Sequence, residues 1–98
     1  MNISKKMNGT ELVVTLEGRL DTTTSPNLEA ELKQSMDGAE SLVMDVAALE
    51  YISSAGLRVL LSAHKAMSRK GGMKVLHPNE IVSEVFDVTG FSDVLNIE

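Results

Sequence analysis

The chain reads as a single α/β domain, residues 1–98, on a mixed, mostly parallel sheet of about five strands in the order β-β-α-β-α-β-α-β. Three observations predict this. A hairpin signal, Asn8-Gly9, stands near the N-terminus. Beyond it, short apolar runs of strand length alternate with longer stretches of helical period, which requires crossover connections and parallel pairing. At 98 residues the chain can build one modest core, without a large enclosed active site.

Each element has a local reason. Ile3 to Met7 is a short strand, and Asn8-Gly9 turns it back because both positions tolerate positive φ. Thr10 to Gly18 returns, with Leu12, Val14 and Leu16 alternating against Val13, Thr15 and Glu17. Asp21-Thr22-Thr23-Thr24 is a polar loop. Ser25 then caps a helix with Pro26 at its first position, where a missing N–H costs nothing. Leu28, Leu32 and Met36 form the apolar stripe of that helix, and Glu29 and Lys33 face outward. Leu42 to Val46 has the look of a strand buried on both faces.

A second helix is expected from about Ala55 to Lys70. Leu57, Leu60, Leu61, His64 and Met67 fall on one face, and Arg58, Ser62, Lys65 and Arg69 on the other. Gly71-Gly72 stops it. Met73 to His77 is a further strand. Pro78-Asn79 opens a third helix carrying Ile81, Val82, Val85 and Phe86, and Gly90 ends it with Phe91 folding back. Val94 to Ile97 is the last strand. In such sheets ligands and partners meet the loops beyond the carboxyl ends of the strands, where the Asp21 loop and Ser53-Ser54 both fall.

Composition narrows the function classes. Aromatics are 3% and tryptophan is absent, so the core is Leu, Val, Ile, Met and Ala. Of the six methionines, Met36, Met44 and Met67 fit core positions. There is no cysteine, which removes disulfides and thiolate chemistry. The formal net charge of −5 argues against nucleic acid as the main partner, because phosphate-backbone binding needs a basic face. No apolar run reaches the roughly 20 residues that span a membrane, and no apolar stretch follows the N-terminal lysines. The expectation is therefore no direct membrane insertion, no signal peptide and a cytoplasmic location. Arg58, Lys65, Arg69 and Lys70 gather on the second helix as a solvated face, or as part of a docking surface for an acidic protein.

The stretch Tyr51-Ile52-Ser53-Ser54-Ala55-Gly56-Leu57-Arg58 carries the most information. With Ser54 as N-cap, its hydroxyl would accept from the amide of Gly56 or Leu57. Unpaired amides and the helix dipole dispose that end to hold an anion. Gly56 would let backbone or phosphate approach without a Cβ in the way. A phosphate would add about −1.5 to −2 charges without requiring the fold to change. The residues alone favour a plain helix cap.

Asp45 to Leu61, DVAALEYISSAGLRVLL, resembles the signature of the STAS family, and most closely the bacterial anti-sigma factor antagonists within it. Gly18-Arg19-Leu20-Asp21 is similar to the family's G-x-L-D segment, and Val88-Thr89-Gly90-Phe91 to its closing turn. The resemblance implies a protein that is not an enzyme and needs no cofactor. It implies binding to a cognate anti-sigma factor that is also a serine kinase, with release of the sigma factor. It also implies reversal of phosphorylation by a PP2C-type phosphatase. The family's phosphoserine lies two residues before the Gly-Leu pair, which here is Ser54, with Ser53 as the alternative. Ser53 stands where the family often has Asp, and Ala55 where it often has Ser. The partner surface so implied comprises Asp21, Thr22, Ser53, Ser54, Ala55, Gly56, Leu57 and Arg58. Two other roles remain open: a STAS scaffold subunit of a lipid or anion transport complex, and a nucleotide-binding module, which no Gly-rich phosphate loop supports. His64 and His77 are isolated and make a poor metal site. Asp45 is expected to hold the chain that follows it by hydrogen bonds.

Overall fold

β1 (Asn2–Asn8) and β2 (Glu11–Leu20) form the expected antiparallel hairpin in the computed structural model, which describes residues 1–98. Asn8 pairs with Glu11, so the two-residue turn is Gly9-Thr10, one position later than the Asn-Gly signal suggested. Leu12, Val14, Leu16 and Leu20 are buried on one side of β2, whereas Thr15, Glu17 and Arg19 are exposed on the other.

From β2 onward every pairing is parallel. The sheet order is β1-β2-β3-β4-β5, with β3 Ser41–Ile52, β4 Met73–Leu76 and β5 Asn96–Ile97. The helices between them are α1 (Ser25–Ser35), α2 (Ser54–Met67) and α3 (Glu80–Thr89). Each crossover advances one strand in the same direction, so right-handed connections lay all three helices on one face of the sheet. One core of 22 buried residues fills that interface, with Met44, Leu60, Val75 and Phe86 fully enclosed. Met36 is half-buried against its edge.

The largest departure from expectation is β3. It runs 12 residues, where the apolar pattern suggested only Leu42 to Val46. Two one-residue register shifts explain the difference: Thr15 pairs with Asp45 but Glu17 with Ala48, and Gly18 with Leu49 but Arg19 with Tyr51. Each bulge resets the alternation, so Val46, Leu49 and Ile52 all point into the core although they are three apart. Asp45 accepts the Ala47 amide at 3.0 Å and holds the first bulge.

Smaller corrections follow from burial and hydrogen bonding. α2 buries Val59 and Ala63, while Leu61 and His64 are only half-buried. It ends at Met67, so Lys70 lies beyond it and donates to the carbonyls of Met36, Ala39 and Asp37. A Cβ on Gly71 would sit 2.7 Å from the Glu40 carbonyl oxygen, which makes glycine necessary where the chain re-enters the sheet. In α3, Val82 and Phe86 are buried but Ile81 is exposed. Asn79 caps this helix by accepting the Val82 amide at 2.8 Å, and its own amide group donates to the Leu49 carbonyl. β4 ends at Leu76, one residue before the expected end, and His77 follows it at φ +60. β5 starts at Asn96, because a turn of 3-10 helix takes up Phe91–Asp93 and buries Leu95.

Phe86 is the largest side chain enclosed on α3. Its replacement by Ala should cost about 3–5 kcal/mol. Urea unfolding checks this: the midpoint falls and the slope is unchanged if only packing is lost.

Candidate functional site

β2 and β3 are neighbouring parallel strands, so their carboxyl ends finish side by side. The Ser53 amide donates to the Leu20 carbonyl at 2.9 Å and ties the two ends together. The Asp21 loop and the start of α2 therefore share one end of the sheet, as the order of elements predicted.

Asp21 organises the first loop. Its Oδ1 accepts from the amides of Thr23 at 3.0 Å and Thr24 at 3.1 Å. The Thr24 hydroxyl accepts from the Asp21 amide at 2.9 Å and donates to the Arg19 carbonyl at 2.8 Å. The Thr24 amide, above all, holds the Asp21 carboxyl below its ordinary value. Partial burial opposes that effect, and the Thr23 amide, the Thr24 hydroxyl and the Arg19 charge reinforce it. The cap of α1 is displaced accordingly. Thr24, not Ser25, is the N-cap, and Pro26 is the second helical residue. Ser25 is buried, and its hydroxyl donates back to the Asp21 carbonyl at 2.5 Å.

The cap of α2 falls one residue earlier than expected. Ser53 is extended and is the N-cap of α2, its hydroxyl accepting from the Gly56 amide at 3.5 Å. Ser54 is the first residue of the helix and is exposed, with its hydroxyl free of any protein partner. The cap and the candidate phosphate acceptor are thus different residues. Gly56 also has a different reason to be glycine. A Cβ there would lie 2.7 Å from Leu20 Cγ and 2.9 Å from Ile52 Cγ1. It lets the first turn of α2 press onto the ends of β2 and β3, rather than admitting a phosphate.

Leu57 is buried beneath this turn, while Thr22 and Arg58 are exposed and Ala55 is half-buried. Thr22, Ala55 and Arg58 line a surface depression between the starts of α1 and α2, together with Ser25, Pro26 and Glu29. The sequence pointed to the α2 side and the Asp21 loop but missed the α1 wall. It also missed Arg19, whose guanidinium lies 4.5 Å from the centroid of the Tyr51 ring on the helix-free face. That pairing is visible only once both bulges in β3 are known.

No group of three or more His, Cys, Asp or Glu side chains is placed to hold a metal ion. His64 Nδ1 is buried without a hydrogen-bond partner. No helix is long and apolar enough to cross a membrane.

A sheet covered on one face, with a capped serine helix at the ends of its first two parallel strands, defines a small one-sided α/β domain. The chain belongs to the STAS domain family, whose profile matches residues 2–98. It is 38% identical over 88 residues to BtrV of Bordetella bronchiseptica, assigned as an anti-sigma factor antagonist, covering 88% of this chain and 76% of that one. It is 26% identical over 98 residues to the anti-sigma-B factor antagonist of Bacillus subtilis, covering 99% and 90%. An anti-sigma factor antagonist from Mycobacterium paratuberculosis superposes with a TM-score of 0.89 at 23% identity, covering 98% of this chain and 83% of that one.

Two predictions follow from this geometry. Gly56→Ala should cost about 1–3 kcal/mol by overpacking against Leu20 and Ile52, measured by chemical denaturation. Asp21 is held ionised in the fold, so its contribution to stability is present above the unfolded carboxylate pKa and is lost as pH falls through the lower folded value. Asp21→Asn should therefore be less stable than the parent near pH 7, and the gap should narrow below about pH 4.

Proposed function

We propose that this protein is an anti-sigma factor antagonist that acts by switching partners under control of phosphorylation at Ser54, and not by catalysis. In this reading the unphosphorylated form binds a cognate anti-sigma factor that is also a serine kinase, and sigma factor is released. A PP2C-type phosphatase restores the binding form, and the cycle runs in the cytoplasm.

The observation that carries the reading is the exposed Ser54 hydroxyl at the start of α2, in a chain whose relatives are named for this activity. A kinase needs a hydroxyl that is not already engaged. Ser53 is the poorer acceptor because it caps the helix. Modification of Ser54 leaves the cap and the core contacts of Gly56 and Leu57 in place, so it changes the surface without unfolding the site. The contact surface in this reading is Asp21, Thr22, Ser53, Ser54, Ala55, Gly56, Leu57 and Arg58. Exposed members make the contact, while Gly56 and Leu57 set the position of the helix. A dianion at its centre brings desolvation cost and like-charge repulsion, which weaken binding.

Mass spectrometry of the protein recovered from its native cell tests the site: phosphate on Ser54, absent from Ser54→Ala, is the expected result. A parent chain that is never phosphorylated under any growth condition contradicts the switch. Ser54→Asp should bind the anti-sigma kinase at least about tenfold more weakly than the parent, measured by calorimetry.

A further inference from the structure

We infer that Arg58 is the built-in counterion of a phosphate on Ser54, an inference that rests on the modification proposed above. The two residues are four apart on α2, so they project from the same face, about 6 Å apart along the axis. Both are exposed.

Most cations of the chain are already engaged. Lys5 pairs with Glu31, Lys33 with Glu29 and Lys74 with Glu98. Lys70 serves three backbone carbonyls, and Arg19 lies over Tyr51. Lys6, Arg58, Lys65 and Arg69 have no acidic partner. Lys6 pairs with Val13, about 23 Å of strand away from Leu20. Lys65 is three turns along α2 from Ser54, about 16 Å, and Arg69 lies past the end of the helix. Arg58 is thus the one uncommitted cation beside the serine. Glu29, the acid that lines the same depression, is held by Lys33 at 3.4 Å.

A guanidinium offers a planar pair of donors that matches phosphate oxygens, and charge-assisted bonds of this kind are the stronger ones. Phosphorylation then makes two changes to the surface at once. It adds a dianion at Ser54, and it draws Arg58 out of the positive edge of the depression.

The test needs no kinase. Phosphoserine is incorporated at position 54 during synthesis of the full chain, and its phosphorus resonance is followed through the second ionisation, near pH of about 6. Arg58 favours the dianion, so Arg58→Gln should raise the midpoint by about 0.3 pH unit, and the difference should vanish near 1 M salt. Lys65→Gln should leave it unmoved. Identical titrations of the parent and Arg58→Gln overturn the inference, as does an equal shift from Lys65→Gln. Failure here leaves the mass-spectrometric test of Ser54 untouched, so the two readings fail separately.

Discussion

The close approach of α2 to the ends of β2 and β3 is the constraint on which the site depends. It is made at Gly56, where the helix backbone rests on Leu20 and Ile52 with no room for a methyl group. The Ser53 amide completes it by bonding to the Leu20 carbonyl. These contacts place Ser53 in an extended conformation suited to capping, and they leave Ser54 at the surface as the first helical residue. The buried residue and the exposed one are therefore parts of one device, since the glycine sets where the serine stands.

Charge is distributed around this rim in a manner that net composition conceals. The chain is acidic, yet one oxygen of the Asp21 carboxylate is engaged internally by the Thr23 and Thr24 amides. That arrangement stiffens the loop through Oδ1 alone and leaves Oδ2 without a protein partner. Arg58 has the opposite character: it is positive, exposed and uncommitted. In the proposed modified form, a dianion at Ser54 has the Arg58 cation about one turn along α2.

Element order, the hairpin and the main apolar stripes were legible in the sequence because each rests on local pattern: the alternation of Leu12, Val14 and Leu16, the helical stripe of Leu28 and Leu32, and the glycines after α2 and α3. The length of β3 was not legible. Its two bulges break the period of two, so Ala47 to Ile52 has no strand signature of its own and becomes strand only by pairing with Glu17 to Leu20. The outer faces of α2 and α3 were misjudged at Leu61 and Ile81, because an apolar residue at the edge of a stripe is buried or exposed according to what lies opposite it.

The sequence by itself determined the fold class, the family resemblance and the end of the sheet where the polar loops gather, since hydrophobic period and strand–helix alternation are written in neighbouring residues. The tertiary structure decided which serine caps and which is free, why Gly56 is glycine, and that Thr24 rather than Ser25 precedes α1. The Thr24 cap follows from the Asp21 turn, whereas the place of Gly56 and of the serines turns on contacts with Leu20, far away in the chain. Those long-range contacts are set by packing between β2, β3 and α2, and no local pattern encodes them.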